Sequence, residues 1–143
     1  MLSNTEVTAL LRDNGYKVTP QRLAVYEHLA ATKSHPSAEM LYSVLRPKYP
    51  SMSFATVYKT VEILNKLNLI QIINTGEDSF RYDADVSKHH HIQCTCCGRV
   101  DDVFEAPEGE MVAKAARETG YEVTGEQFYF YGICPNCRAK KQN

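Results

Sequence analysis

Apolar residues recur at three- and four-residue spacing in the first part of the chain, which is the period of a helix with one buried face. A first helix follows the capping box of Ser3 and Glu6 and ends at Gly15, with an apolar stripe of Val7, Leu10 and Leu11. A second begins at Thr19 with Pro20 in its first position, and its stripe is Leu23, Tyr26, Leu29 and Ala30. The pattern predicts two short amphipathic helices in succession.

Two further helices continue the same pattern. Pro36 opens a third, SAEMLYSVLR, which Pro47 stops. The fourth is FATVYKTVEILNKLNLI, whose apolar face carries Phe54, Val57, Val61 and Leu64. We expect this helix to present polar and aromatic groups outward at Thr56, Tyr58, Lys59 and Thr60.

The hydrophobic period then changes from that of a helix to that of a strand. The segments IQII and SFRY, joined by the turn NTGED, indicate a short hairpin with a glycine in its loop. Short helices followed by a two-stranded hairpin are the order of a winged helix-turn-helix, in which the fourth helix enters the major groove and the hairpin is the wing. Residues 1–82 are therefore predicted to form a winged-helix DNA-binding domain.

The second half alternates strand and helix patterns after a hinge, DADVSK, at residues 83–88. HIQC, RVDDVF, YEVT and EQFYFYGIC are predicted strands, and PEGEMVAKAARETG is a predicted helix that ends at Gly120. We expect its inward face to consist of Met111, Val112, Ala115 and Ala116. Residues 89–143 would form a small α/β domain, of a size that commonly needs a metal or a partner subunit. The predicted fold class is α+β in two domains.

Composition narrows the class of protein only slightly. The chain has 143 residues, of which 43% are hydrophobic and 23% charged, and its formal charge is −1. Disorder is excluded as the default, and the total charge indicates neither a nucleic-acid partner nor a solvating tail. Residues 1–80 carry 8 Lys and Arg against 7 Asp and Glu, so a DNA-binding surface requires clustered basic side chains. The sequence contains no export signal and no membrane-spanning run, which predicts a cytoplasmic protein.

All five cysteines lie in the second half, in two C-x-x-C pairs and one remainder. Cys94 and Cys97 form the first pair, Cys134 and Cys137 the second, and 36 residues lie between the pairs. In a reducing compartment such pairs favour metal binding over disulfides or unligated thiols. Four thiolates match a closed tetrahedral Zn²⁺ site, so the zinc is predicted to be structural. Cys96 is the remainder, either a reactive or an inert thiol.

A run of histidines follows the hinge. In an extended chain His89 and His91 point to one face, whereas His90 points to the other. Asp83 precedes the run and Asp101–Asp102 follows the first cysteine pair. Imidazoles with nearby carboxylates make a donor set suited to Fe²⁺ or Mn²⁺. A solvated turn is the alternative explanation of the histidine run.

The order of several motifs resembles the ferric-uptake-regulator family of metal-dependent repressors over nearly the whole chain. The motifs are VTPQRLAVYEHL, HPSAEMLY, SFATVYKTVEIL, HHHIQCTCCGRV and YGICPNC. The resemblance implies an N-terminal winged-helix domain and a C-terminal dimerisation domain. It also implies a homodimer that binds a palindromic operator on double-stranded DNA when it is loaded with a regulatory metal, and a regulator rather than an enzyme.

The resemblance assigns candidate ligands position by position. One structural Zn²⁺ per subunit is implied at Cys94, Cys97, Cys134 and Cys137. A regulatory Fe²⁺ or Mn²⁺ is implied at His35, Asp83, His89, His91 and Asp102. That second set includes residues of the DNA-binding half, the hinge and the dimerisation half. A shared ion would therefore fix the angle between the halves, so that the two recognition helices of the dimer match half-sites one helical turn apart.

Aspartate at both carboxylate positions, Asp83 and Asp102, resembles the peroxide-sensing branch of the family, because iron-responsive members tend to carry glutamate there. In peroxide sensors, bound Fe²⁺ reacts with H₂O₂ and ligand histidines are oxidised. The matching residues are His35 and His89. Mn²⁺ would support DNA binding with little response to peroxide.

The chain departs from the family pattern in two places. Lys88 and Glu126 stand where the family often has histidine, so the resemblance carries over no complete accessory third metal site, although His90 and Glu126 could form a remnant. The recognition-helix position of Lys59 differs between branches, so the operator is not transferred. Candidate DNA contacts are Arg22, Thr56, Tyr58 and Lys59.

Other functions remain open at this point. Reversible binding of Fe²⁺ as a corepressor, or a response to zinc or manganese, would use the same fold and ligands. A mononuclear metalloenzyme could be built on His-x-His and Asp, although five protein ligands leave little room for a substrate and an activated water. A zinc-ribbon interaction module would explain the cysteines but would leave the winged helix without a use.

Overall fold

The structure is a computed structural model that describes residues 1–76, 80–105 and 109–141. The chain divides into two compact units, Met1–Ser87 and Lys88–Asn143, called here the N-terminal and C-terminal units. Within the described residues, no helix is both long and apolar enough to span a membrane.

The helices of the N-terminal unit each begin at a Ser or Thr residue, as the sequence predicts for the first two. Their bounds are α1 Asn4–Asp13, α2 Pro20–Ala31, α3 Ala38–Leu45 and α4 Phe54–Lys66. The N-cap side chains of Ser3, Thr19, Ser37 and Ser53 accept a backbone N–H from the first turn of the helix that follows. Each bond satisfies a donor that the helix itself leaves unpaired.

One apolar cluster holds these four helices together. Its most deeply buried members come from every helix: Val7, Leu11, Val25, Leu29, Leu41, Val57, Val61 and Leu64. The apolar stripes predicted for α1 and α2 are thus confirmed in Val7, Leu11, Tyr26 and Leu29, with Leu10, Leu23 and Ala30 partly buried at the edge of the cluster. Packing of these stripes, more than the propensity of such short helices, stabilises the unit.

A hairpin follows α4, as predicted. Strand β1 is Gln71–Ile73, β2 is Arg81–Asp83, and they pair antiparallel with Ile72 opposite Tyr82. Part of the predicted turn, residues 77–79, lies outside the described residues. Helices followed by this hairpin are the order of a winged helix-turn-helix.

The prediction for α4 was wrong at two positions. Thr60, expected outward, is only 1% exposed, and its hydroxyl donates to the Thr56 carbonyl at 2.7 Å, which satisfies the buried oxygen inside the helix. Phe54, expected inward, is 37% exposed and packs edge-on against Tyr42 of α3. Ile63 is buried as well, so the buried face of α4 is rotated relative to the predicted one.

In the described part of the C-terminal unit, one sheet is formed by β3 His90–Cys94, β4 Val100–Val103 and β5 Tyr129–Gly132. The order is β4-β3-β5, with β4 antiparallel and β5 parallel to β3. Helices α5 Glu110–Thr119 and α6 Pro135–Lys141 complete the unit. Gly120 ends α5 in the left-handed conformation, with φ of 74°, as the sequence predicts.

Several predictions for this unit were wrong. The YEVT segment, 121–124, forms no strand, and only Tyr129–Gly132 of EQFYFYGIC is a strand. Helix α5 has no buried residue: Met111 and Ala115 are exposed, and Val112 and Ala116 are half-buried. Its apolar face was inferred from periodicity, which shows where apolar side chains lie on a helix but not what covers them. Residues 107–108, at the start of the predicted helix, are outside the described part.

The core of the N-terminal unit yields a direct test. Leu41→Ala removes a side chain with 0% exposure, and we expect the free energy of unfolding to fall by about 2–5 kcal/mol because a cavity replaces packed atoms. Val44→Ala on the same helix, at 50% exposure, is the matched control and should change it by less than about 0.5 kcal/mol. Urea unfolding followed by circular dichroism measures both; equal effects would contradict the packing described here.

Candidate metal centres

Four cysteines converge in the C-terminal unit. The Sγ atoms of Cys94, Cys97, Cys134 and Cys137 all lie within 4.8 Å of one another. Parallel pairing of β3 with β5 brings the two C-x-x-C pairs together, because it sets Cys94 opposite Gly132, two residues before the second pair. Gly98 closes the first pair in a turn with φ of +77°, a conformation that favours glycine.

Hydrogen bonds shift the pKa values of two thiols of this cluster, Cys94 and Cys137, in opposite directions. The backbone N–H of Cys134 donates to Cys94 Sγ at 3.2 Å, and this bond, with others from the first pair, lowers the pKa of Cys94 to about 6. Hydrogen bonding to the Cys134 sulfur raises the pKa of Cys137 to about 12. Crowded thiols cannot all ionise without a compensating cation, and four thiolates are the donor set of structural zinc. The residues therefore fit a closed, non-catalytic Zn²⁺ site.

Cys96 stays outside this cluster. It is exposed and does not belong to the group of four, in agreement with its treatment as a remainder.

A second group of ligand-type side chains lies in the same unit. His91 on β3 pairs directly with Asp102 on β4. The Nε2 atoms of His89 and His91 lie 3.1 and 3.4 Å from one oxygen, Asp102 Oδ1. His90 points elsewhere, and its ring packs on Phe128 with centroids 5.1 Å apart. Two imidazole nitrogens thus converge on a single carboxylate oxygen.

The N-terminal unit contains a related pair. His35 Nε2 lies 3.1 Å from Asp83 Oδ2, and both residues are buried. The other oxygen, Asp83 Oδ1, accepts the backbone N–H of Asp85 at 2.9 Å, which orients the carboxylate. Every predicted regulatory ligand therefore lies in one of these two groups, and each group offers nitrogen and oxygen donors of the kind that Fe²⁺ and Mn²⁺ take.

The positions that depart from the family pattern are joined to each other. Lys88 Nζ lies 2.5 Å from Glu126 Oε1, in an ion pair within the C-terminal unit. Because a lysine ammonium offers donors and no lone pair while it is charged, this pair is not a cation site.

The candidate DNA contacts all lie in the N-terminal unit. Lys59 is exposed and Tyr58 is 41% exposed on α4, where the Tyr58 ring packs against Phe54. The hydroxyl of Thr56 shares a hydrogen bond with Ser53 at the start of the helix. Arg22 Nη1 donates to the Lys17 carbonyl at 2.7 Å, so part of its guanidinium is used within the unit.

Sequence reasoning missed two groups that contact the candidate ligands, one a side chain and the other a backbone N–H. Phe104 stacks on the His89 ring with centroids 5.0 Å apart, and Asp85 orients Asp83 through its backbone. Residue spacing in the sequence does not indicate either contact, since the Phe104 contact depends on strand pairing and the Asp85 contact on a local turn.

Comparison with known proteins defines the class. The model of the ferric uptake regulator family matches residues 13–131. The transcriptional regulator PerR of Clostridium acetobutylicum is 44% identical over 135 residues, 94% of this chain and 98% of that protein. The peroxide operon regulator of Bacillus subtilis is 35% identical over 138 residues, 96% of this chain and 94% of that protein.

A solved structure agrees with these relatives. The ferric uptake regulator of Helicobacter pylori, described as having three functional metal binding sites, superposes with a TM-score of 0.78 at 25% identity, covering 94% of this chain and 90% of that one. The fold, the four-cysteine group and these relatives define a metal-dependent transcriptional repressor and not an enzyme. The chain belongs to the ferric uptake regulator family.

The thiolate centre can be tested with two serine variants. Cys94→Ser should reduce bound zinc from about one ion per chain to almost none and destabilise the C-terminal unit, because three thiolates do not close a tetrahedral site. Cys96→Ser, two residues away and outside the cluster, is the matched control and should keep its zinc. Elemental analysis and thermal unfolding measure both effects; a zinc-free Cys94→Ser protein of unchanged stability would refute the structural role.

Proposed function

We propose that this chain is a cytoplasmic, peroxide-responsive repressor that binds a palindromic operator as a homodimer when loaded with Fe²⁺ or Mn²⁺. One observation carries the proposal: both aspartates of the regulatory set face ligand histidines at hydrogen-bond distance, Asp83 beside His35 and Asp102 beside His89 and His91. The Bacillus subtilis relative is a peroxide operon regulator, which supports the peroxide assignment.

The five side chains would bind one regulatory ion. His35 and Asp83 belong to the N-terminal unit, whereas His89, His91 and Asp102 belong to the C-terminal unit. An ion shared by both groups would couple the recognition helix to the dimer and so favour the DNA-binding geometry. Without it, DNA binding would have to supply the cost of ordering the units.

The histidines would serve both as ligands and as the target of the signal. When bound, Fe²⁺ would supply the redox chemistry that activates H₂O₂ beside these ligands. Transfer of one oxygen atom from H₂O₂ to a ring carbon of His35 or His89 would break the O–O bond, replace the ring C–H by C=O with the hydrogen moved to a ring nitrogen, and release water. The altered ring would be a poorer metal ligand, which would weaken the site. Asp83 and Asp102 would bind the same ion as the histidines, so that coordination would replace the contacts that their carboxylates make with Nε2 of His35 and His89. Loss of the site would release the repressor from DNA.

Recognition of DNA would use α4. Tyr58 and Lys59 are exposed on this helix, and Arg22 and Thr56 lie at the N-terminal turns of α2 and α4. Because the N-terminal half carries so little net positive charge, we expect specific contacts to matter more than long-range attraction.

The C-terminal unit would form the dimer. Helix α5 has no buried residue, and β5 is an edge strand of its sheet. Large apolar side chains are exposed across this unit: Phe104, Met111, Tyr121, Phe130, Tyr131 and Ile133. Exposed apolar surface of this kind marks an interaction site, and a second copy of the chain gives the twofold symmetry that a palindrome requires.

The decisive experiment examines histidine oxidation. We expect brief H₂O₂ treatment of the Fe²⁺-loaded, zinc-containing protein to add oxygen to peptides containing His35 and His89, with parallel loss of DNA binding. The Mn²⁺-loaded protein and the peptide containing His28, which is outside both groups, are the controls and should stay unmodified. Mass spectrometry measures the addition. Unmodified histidines in an iron-loaded, DNA-binding sample would instead favour reversible iron sensing on the same ligands.

The DNA contacts can be tested by charge removal. Lys59→Ala should weaken binding of the Mn²⁺-loaded protein to a duplex selected from a random library, and should lower the salt-dependence slope by about 1 if Lys59 neutralises a phosphate. Lys66→Ala, at the exposed C-terminal end of the same helix, is the control and should leave the slope unchanged. Fluorescence anisotropy across a salt series gives the slope for the unaltered chain and for each variant. Identical slopes for these three proteins would show that Lys59 does not contact a phosphate.

A further inference from the structure

His35 adopts an unusual backbone conformation for a side chain of its size. Its φ is 51°, in the left-handed region that residues other than glycine rarely adopt, and it directly precedes Pro36. A residue holds such a conformation only when its surroundings determine it, and such positions cluster at functional sites.

Contacts from Arg81 hold the backbone of His35 in this conformation. Its guanidinium donates through Nε to the carbonyl of His35 and through Nη2, at 2.9 Å, to the carbonyl of Ser34. Arg81 is only 6% exposed, so a charged group is buried where it contacts these two carbonyls. Burial of a charge is costly unless hydrogen bonds satisfy it, which gives this arrangement a defined geometry.

The backbone of the same strand reinforces the contact. The N–H of Tyr82 donates to the Pro36 carbonyl at 3.1 Å, and Ser37 forms an isolated bridge with Arg81. The segment 34–37 therefore runs beside β2 and is held there by both backbone and side chain.

Strand β2 also carries the carboxylate that meets the His35 ring. Arg81 and Asp83 are two residues apart, so their side chains leave the strand on the same face. Arg81 fixes the His35 backbone, and Asp83 Oδ2 lies 3.1 Å from the ring nitrogen Nε2. Strand β2 thus contacts both the backbone carbonyl and the ring of His35.

We propose that Arg81 is a positioning residue for the regulatory site: by clamping the carbonyls of Ser34 and His35 it sets the backbone from which His35 presents Nε2. This inference rests on the proposed function, because it assigns His35 a metal to bind. Arg81 cannot itself be a ligand, since the guanidinium has no acceptor. Lysine would not replace it, because a single ammonium lacks the planar fork that reaches both carbonyls through separate nitrogens.

The test uses Arg81→Lys, with Arg46→Lys as the matched control. Arg46 lies in the same unit, at the end of α3, where its guanidinium lies 5.7 Å from the centre of the Tyr42 ring. We expect Arg81→Lys to weaken Mn²⁺ binding by about tenfold to a hundredfold, the usual effect of losing a residue that orients a ligand. Arg46→Lys should bind Mn²⁺ as the unaltered chain does. Competition with a fluorescent chelator at low temperature measures the affinity.

A second measurement separates positioning from general stability. In the metal-free, zinc-containing protein, NMR signals of the His35 ring and of the amides of residues 34–37 should shift in Arg81→Lys, while those of the His89 and His91 rings stay unchanged. Lower thermal stability with unchanged His35 signals and unchanged Mn²⁺ affinity would overturn the proposal. If the unaltered chain binds neither Mn²⁺ nor Fe²⁺, the proposed function fails, and the NMR result still decides whether Arg81 sets the conformation of His35.

Discussion

The C-terminal unit depends on its thiolate centre because it has almost no apolar core. In its described part, the buried hydrophobic residues are only Cys94 and Val100, whereas the N-terminal unit buries a full cluster from four helices. Hydrophobic burial on that scale cannot offset the conformational entropy of ordering a unit of this size. A zinc ion held by the four cysteines would replace the missing core with a cross-link that joins the end of β3 to the start of α6. A cation at this position would convert crowded thiols into thiolates and stabilise the unit directly.

Strand β3 connects the four-cysteine group to the candidate regulatory ligands of the C-terminal unit. It ends at Cys94 and begins beside His89, and the alternation of side chains along it separates His90 from His89 and His91. Pairing with β4 then brings Asp102 to both imidazoles. Anything that disturbs the four-cysteine group would therefore disturb β3 and, with it, the candidate regulatory ligands of this unit. Rigid positioning of donors by surrounding structure is how proteins tune a metal site.

The candidate regulatory ligands of the two units are positioned in similar ways. In each unit the Nε2 atom of a histidine faces an aspartate on a neighbouring strand. His35 faces Asp83 on β2, and His89 faces Asp102 on β4. In the C-terminal unit the strand register is sufficient, whereas in the N-terminal unit a buried arginine holds a strained loop against β2. The Lys88–Glu126 ion pair differs from both groups, because the lysine ammonium balances the charge of the carboxylate without a metal ion.

The sequence by itself determined the elements whose signals are local. The caps at Ser3 and Thr19, the apolar stripes of α1 and α2, the hairpin and the two C-x-x-C pairs all depend on neighbours a few residues away. The grouping of the regulatory residues came from resemblance to a family and not from spacing. The tertiary structure alone decided which face of α4 is buried, that no residue of α5 is buried within the single chain, and that Arg81 reaches back to Ser34 and His35. These outcomes depend on contacts between distant residues, and such contacts leave no periodicity in the chain.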